Sequence, residues 1–173
     1  MVFATLRTLL GTSQHREAQE LYIALVSQSR KAFFYTNCAV ADTLDGRFDI
    51  LVLHVFLALH CIEGQASDFS SVSAKKHKEL SRVLLECFFA DMDRSLREIG
   101  VGDMGIGKRV KTMSKAAFGR FKAYAEAWDS DAALNAALKR NIYRGSEVTP
   151  DALTTLIKYM RDYIIPSFIA PVY

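Results

Sequence analysis

The chain has 173 residues, half of them apolar, and a net charge of +3, with only three prolines and nine glycines. That length suffices for one domain with a real core, and the scattered prolines and glycines exclude disorder beyond the two ends and the 63–74 stretch. No run of about 18 apolar residues occurs, which excludes a simple membrane-spanning helix.

Helical periodicity dominates, so the pattern predicts an all-α fold: a single domain over 1–173 with about six helices. The first spans 13–29, with Thr12 or Ser13 as its cap and Leu21, Ala24 and Leu25 on its apolar side. Asp42 to Gly46 has turn chemistry. Over 47–62, Phe48, Leu51, Val52, Val55, Phe56, Leu59 and Ile62 share one helix face, while Leu53 and Leu57 lie opposite. A helix apolar nearly all round belongs at the buried centre. A third helix covers about 74–98, offers Leu84, Leu85, Phe88, Phe89 and Leu96 to the core, and is ended by Gly100 and Gly102.

The fourth helix, about 104–127, carries Ile106, Val110, Met113, Ala117, Phe121, Tyr124 and Trp128 on one stripe. Lys108, Lys111, Lys115 and Lys122 fall on the opposite one, and no acid occurs between Asp103 and Glu126. Asp129 or Ser130 caps a short helix to about Tyr143, closed by Gly145. Thr149–Pro150–Asp151 supplies a capping hydroxyl, a proline at the first helical position and a first-turn acid. The last helix is expected to reach Ile165 and stop at Pro166, ahead of the apolar tail PSFIAPVY.

Charge is uneven along the chain: residues 1–103 balance to −2 and residues 104–173 to +5. The start, MVFATLRTLLG, lacks the basic region and cleavage site of a secretory signal, and one arginine with no serine in ten residues makes a poor transit peptide. Cys38, Cys61 and Cys87 are odd in number and lack metal-type spacing, so a reducing, intracellular compartment is expected.

Residues 100–108, GVGDMGIGK, satisfy two phosphate-loop patterns. Such a loop needs a strand before it and Ser or Thr after its lysine. Here the charged segment DRSLREI precedes it and Arg109 follows Lys108, so a turn between helices is the better reading. Asp91, Asp93, Arg94, Arg97, Glu98 and Asp103 crowd around that turn, either as a solvated helix end or as a network setting a helix angle. His54 and His60, six apart, do not share a face as two metal ligands would, which leaves His54 as a satisfied core histidine. No catalytic, cofactor or metal residue is expected. The lysine stripe is either a solvated face or an electrostatic docking face for anionic lipid, ribosomal RNA or an acidic partner. Because the aromatics do not interleave with those lysines, single-strand stacking and sequence-specific nucleic-acid readout are not expected.

Three stretches carry a family resemblance: VADTLDGRFDILVLH (40–54), DMDRSLREIGVGD (91–103), and GKRVKTM (107–113) with AFGR (117–120) and Tyr124. In this order and spacing they resemble the ubiquinol–cytochrome c chaperone family, over roughly residues 35–125. The matching positions are Asp42, Gly46, Arg47, Phe48, Asp49 and His54; then Asp91, Asp93, Arg97, Glu98 and Asp103; then Lys108, Met113, Gly119, Arg120 and Tyr124. Ile99 stands where the family suggests methionine, and Phe118 lacks an expected aromatic neighbour.

The resemblance implies an assembly factor for the cytochrome bc1 complex that binds newly made cytochrome b. It further implies a small helical partner subunit and contact with the ribosome. The short N-terminus points to a bacterial relative, cytoplasmic and peripheral to the inner membrane, or to the matrix side of the mitochondrial inner membrane in a eukaryote. On this view Met113, Phe118, Tyr124 and the apolar tail form a client groove, and Lys111, Lys115 and Lys122 form its cationic rim. The alternatives are a helical module for another protein or an apolar ligand, and a small enzyme acting on an isoprenoid-like molecule.

Overall fold

The computed structural model describes residues 2–65, 71–100 and 102–163, with side chains from Gln14 onward except at 65, 71–73, 103 and 104. Its elements are α1 (Val2–Ser29), α2 (Phe33–Thr36), α3 (Leu44–Gln65), α4 (Ser71–Glu98), α5 (Asp103–Ala127), α6 (Asp131–Asn141) and α7 (Pro150–Arg161). No strand occurs among the described residues, as the periodicity predicts. The helix beyond the expected six is the single turn α2, too short for a periodic signal. No helix among the described residues is long and apolar enough to cross a membrane.

Several boundaries follow from local chemistry. Ser130 Oγ accepts the Ala133 amide at 3.3 Å and caps α6; Thr149 Oγ1 does the same for Ala152, also at 3.3 Å, with Pro150 in the first turn of α7. Gly100, left-handed at φ 82°, ends α4. Other boundaries differ from expectation. α1 runs straight through Thr12 and Ser13, because Val2–Leu10 is rich in good helix formers and one glycine inside a helix costs only about 1 kcal/mol. α7 ends at Arg161, four residues before the predicted Ile165, and the apolar tail lies outside the described residues.

The Asp42–Gly46 segment is not a turn throughout. Thr43 Oγ1 accepts the Gly46 amide at 3.1 Å, so α3 starts at Leu44 and Gly46 belongs to it. Glycine is required there for a different reason: a Cβ would collide with the Ala41 carbonyl oxygen, which is backbone and cannot swing aside. Gly46→Ala is expected to cost about 1–3 kcal/mol, read as a lower urea midpoint, as overpacking does elsewhere.

The chain divides into two compact units, one drawn from Met1–Ala24 and Ala58–Val110, the other from Leu25–Leu57 and Lys111–Ile164. α1, α3 and α5 lend residues to both. In the first unit, Leu80, Leu84, Phe88 and Leu96 of α4 are buried, and the Tyr22 and Phe88 rings lie 6.5 Å apart. In the second, Phe34, Ile50, Leu53, Phe56, Tyr124, Leu134, Leu138, Leu153 and Leu156 form the core. Every residue from Val52 to Ala58 is buried, which bears out α3 as the buried helix.

Candidate partner-binding site

The first and third sequence motifs meet in the second unit through one carboxylate. Asp49 of α3 has no exposed surface. Its Oδ1 lies 2.8 Å from Arg120 Nη2 of α5, and its Oδ2 accepts from Arg144 Nη2 at 3.0 Å. Arg144 also reaches Asp45 at 2.5 Å, while Arg120 donates from Nη1 to the Ala116 carbonyl at 3.0 Å. The Arg120 guanidinium sits 5.8 Å from the Phe48 ring centre. Burial pushes the Asp49 carboxyl above its usual range, against the pull of Arg120 and Arg144. This carboxylate is occupied on both oxygens by cations, so its work is to lock helices together and not to move protons.

Sequence reasoning missed Arg144 and Asp45. Arg144 takes a left-handed φ of 53° just after α6, a conformation unusual outside glycine, and Gly145 follows it at φ 81°. Nothing in the local sequence marks that residue as a partner of α3.

A second buried group lies in the same unit. His54 Nδ1 donates to the Ile50 carbonyl at 2.7 Å, since a carbonyl only accepts, and Nε2 then accepts from the Tyr159 hydroxyl at 2.7 Å. Tyr159 in turn accepts from Gln28 Nε2 at 3.2 Å. Phe34 stands edge-on to the imidazole with centroids 5.1 Å apart. Burial lowers the His54 pKa to about 4 and raises that of Tyr159 to about 12. His54 is thus a neutral core histidine with both nitrogens engaged, as its spacing suggests.

The second motif lies in the first unit. Asp91 Oδ2 accepts from the Tyr22 hydroxyl at 2.8 Å, and Arg97 pairs with Asp93 at 2.8 Å, one helical turn away. Glu98 is exposed, and the side chain of Asp103 lies outside those described. The Asp42–Arg47 pair of the first motif, at 2.6 Å, is exposed.

The residues expected to form a groove and rim separate. Tyr124 is fully buried, its ring 5.4 Å from that of Phe56, and burial pushes its phenol up, so it supports the core and offers no surface. Met113 is half-buried. Lys108, Lys111, Lys115, Lys122 and Gly119 are exposed, and Phe118 is 49% exposed. Residues 111, 115, 118 and 122 follow a 4-3-4 spacing, which places all four on one helix face. Phe118 therefore lies among the lysines, and the expectation that no aromatic interleaves with them is corrected.

The family model described as ubiquinol-cytochrome C chaperone matches residues 36–164. The crystal structure of the Cbp3 homolog from Brucella abortus aligns with a TM-score of 0.71 and 34% identity, over 92% of this chain and 84% of that one. The ubiquinol-cytochrome-c reductase complex assembly factor 1 of Xenopus laevis is 24% identical over 150 residues, 85% of this chain and 70% of the relative. The mouse assembly factor of that name is 23% identical over 145 residues, 83% of this chain, and the human one 24% identical over 148 residues, 85% of this chain. The chain spans about half the length of these two, 46% and 47% respectively. With three quarters of its length matched by the family model and a shared helical fold, the chain belongs to the ubiquinol-cytochrome C chaperone family.

Proposed function

We propose that the chain is an assembly chaperone of the ubiquinol–cytochrome c reductase (cytochrome bc1) complex, which binds newly made cytochrome b at the membrane surface and acts by binding, without catalysis. The observation that carries this reading is the family match across 36–164, which takes in all three motifs. The motif geometry supports it. Asp49, Arg120 and His54 take their partners from within the fold, which suits a rigid scaffold presenting an outer surface to a client. Met113 and the apolar tail remain the proposed client contacts, and a small helical partner subunit and the ribosome are proposed partners on the same basis.

The test is affinity purification of the tagged chain from its own host in mild detergent, with mass spectrometry of what co-purifies. Cytochrome b is expected without the subunits of the mature complex. Its absence, when a control bait recovers it from the same extract, would remove the proposal.

A further inference from the structure

We infer that the outward face of α5, with Lys111, Lys115 and Lys122 arranged about Phe118, docks on an anionic phospholipid surface. The four residues form a row about 16 Å long at a rise of about 1.5 Å per residue. No acid interrupts α5 between Asp103 and Glu126. Among the described residues, neither Lys111 nor Lys115 has a carboxylate partner. Lys122 has Glu126 at 3.7 Å, both side chains largely in water, a pair weak enough to give way to a headgroup.

The chemistry of the row favours lipid over protein. Protein interfaces enrich arginine and deplete lysine, because a planar guanidinium meets fixed partners with little entropy loss. Every cation of this row is a lysine, whose hydrated ammonium on a flexible stem suits a diffuse layer of headgroups, and whose stem can lie along the acyl boundary. Phe118, half in water, is held by an edge-on contact with Phe121, centroids 5.8 Å apart, so its ring is presented and not folded back into the core. Beside it, Gly119 adds no side chain, and a Cβ there would meet nothing within 4 Å. A glycine in an exposed helix interior costs about 1 kcal/mol relative to alanine, and here no internal packing calls for it. An open flank beside Phe118 lets a flat surface come close. Because the opposite stripe of α5 is already buried at Ala117, Tyr124 and Ala127, Phe118 is the large apolar side chain that this face offers to the membrane, and the attachment is shallow, reversible and governed by charge.

The inference deepens the chaperone reading, which puts the chain beside a membrane-embedded client, and its test contains no client. Flotation of the full chain is measured with phosphatidylcholine vesicles, with and without phosphatidylglycerol. The wild type is expected to float only with the anionic vesicles, and to be released as salt shortens the screening length below about 8 Å. The triple variant Lys111→Glu, Lys115→Glu, Lys122→Glu is expected to lose about a hundredfold in partitioning, at about a factor of five per lysine removed. Phe118→Ser is expected to lose about fivefold with its salt dependence unchanged. A control with Lys139→Glu and Arg140→Glu on exposed positions of α6 retains binding.

Indifference of the wild type to phosphatidylglycerol would overturn the inference, as would a loss in the control in proportion to its charge change, four units against six in the triple variant, which would mean attraction by net charge alone. If the triple variant floats normally yet fails to restore the bc1 complex in a deletion strain, the face serves a protein and the lipid assignment is wrong. Failure to recover cytochrome b by affinity purification would leave the vesicle result standing, so the two readings fail separately.

Discussion

Replacing Arg120 with alanine is expected to lower the unfolding free energy by about 3–5 kcal/mol, the usual result of stranding a buried charge. The substitution leaves Asp49, fully buried, with Arg144 alone, and Arg144 is 44% exposed and shared with Asp45. Arg120 itself is 13% exposed, so its interaction is hardly screened. The sign of the pH dependence follows. Burial already holds the folded Asp49 pKa above its unfolded value, and removing Arg120 raises it further. A raised carboxyl contributes stability that is present at low pH and lost as pH rises through the folded pKa. The deficit of Arg120→Ala relative to wild type is therefore largest at neutral pH and shrinks towards acid. Urea unfolding followed by circular dichroism at several pH values measures both. Arg47→Ala, which removes the exposed motif arginine, should leave the urea midpoint nearly unchanged. Equal effects at the two arginines would refute the assignment of Arg120 as the buried lock.

Acid is expected to destabilise the protein through His54 by about 3 kcal/mol, at about 1.4 kcal/mol per pKa unit between an ordinary 6.5 and the buried value of about 4. The direction is opposite to that at Asp49. A histidine whose folded pKa is lowered binds its proton first in the unfolded chain, so stability is full above about pH 6.5 and falls as pH drops towards 4. Protonation would also turn Nε2 from acceptor to donor against Tyr159, whose hydroxyl then has to give up its role as donor and accept from the ring. His54→Gln removes the titrating group, and its stability between pH 7 and pH 4.5 should slope less steeply than that of the wild type. Parallel slopes would place the acid sensitivity elsewhere.

How much of this was legible in the sequence depended on the range of the interaction involved. The caps at Ser130 and Thr149, the glycine stop at Gly100 and the buried run within α3 are local: a hydroxyl, a proline or a run of mostly apolar residues acts on its own turn. The all-α class followed from the same short-range periodicity. The site was less legible, because its contacts join distant segments. Gly46 read as turn chemistry, whereas its function is to let the Ala41 carbonyl come close. Tyr124 lay on an apolar stripe that could face either a core or a client, and only packing against Phe56 decides between them. Arg144 had no local signal at all. Phe118 falls outside the apolar stripe of α5, and its neighbours on the helix face are cations, a placement that the 4-3-4 spacing of 111, 115, 118 and 122 carries.

The long reach of these bonds has a consequence for how the chain is made. Cys38 accepts from Tyr143, and His54 meets Tyr159, each across 105 residues; Asp49 and Arg144 are 95 apart. During synthesis, α3 leaves the ribosome with Asp49, His54 and its all-round apolar surface long before α5, the α6–α7 connection and α7 exist to cover them. At about 5–20 residues per second, that interval lasts on the order of 5–20 seconds. For that time the nascent chain presents what it is proposed to shield in others: an apolar helix with polar groups waiting for partners. The second unit closes only when the end of α7 is out, so a chain proposed to help membrane-protein biogenesis is itself late-folding, exposed to proteases and to premature association until α7 has emerged.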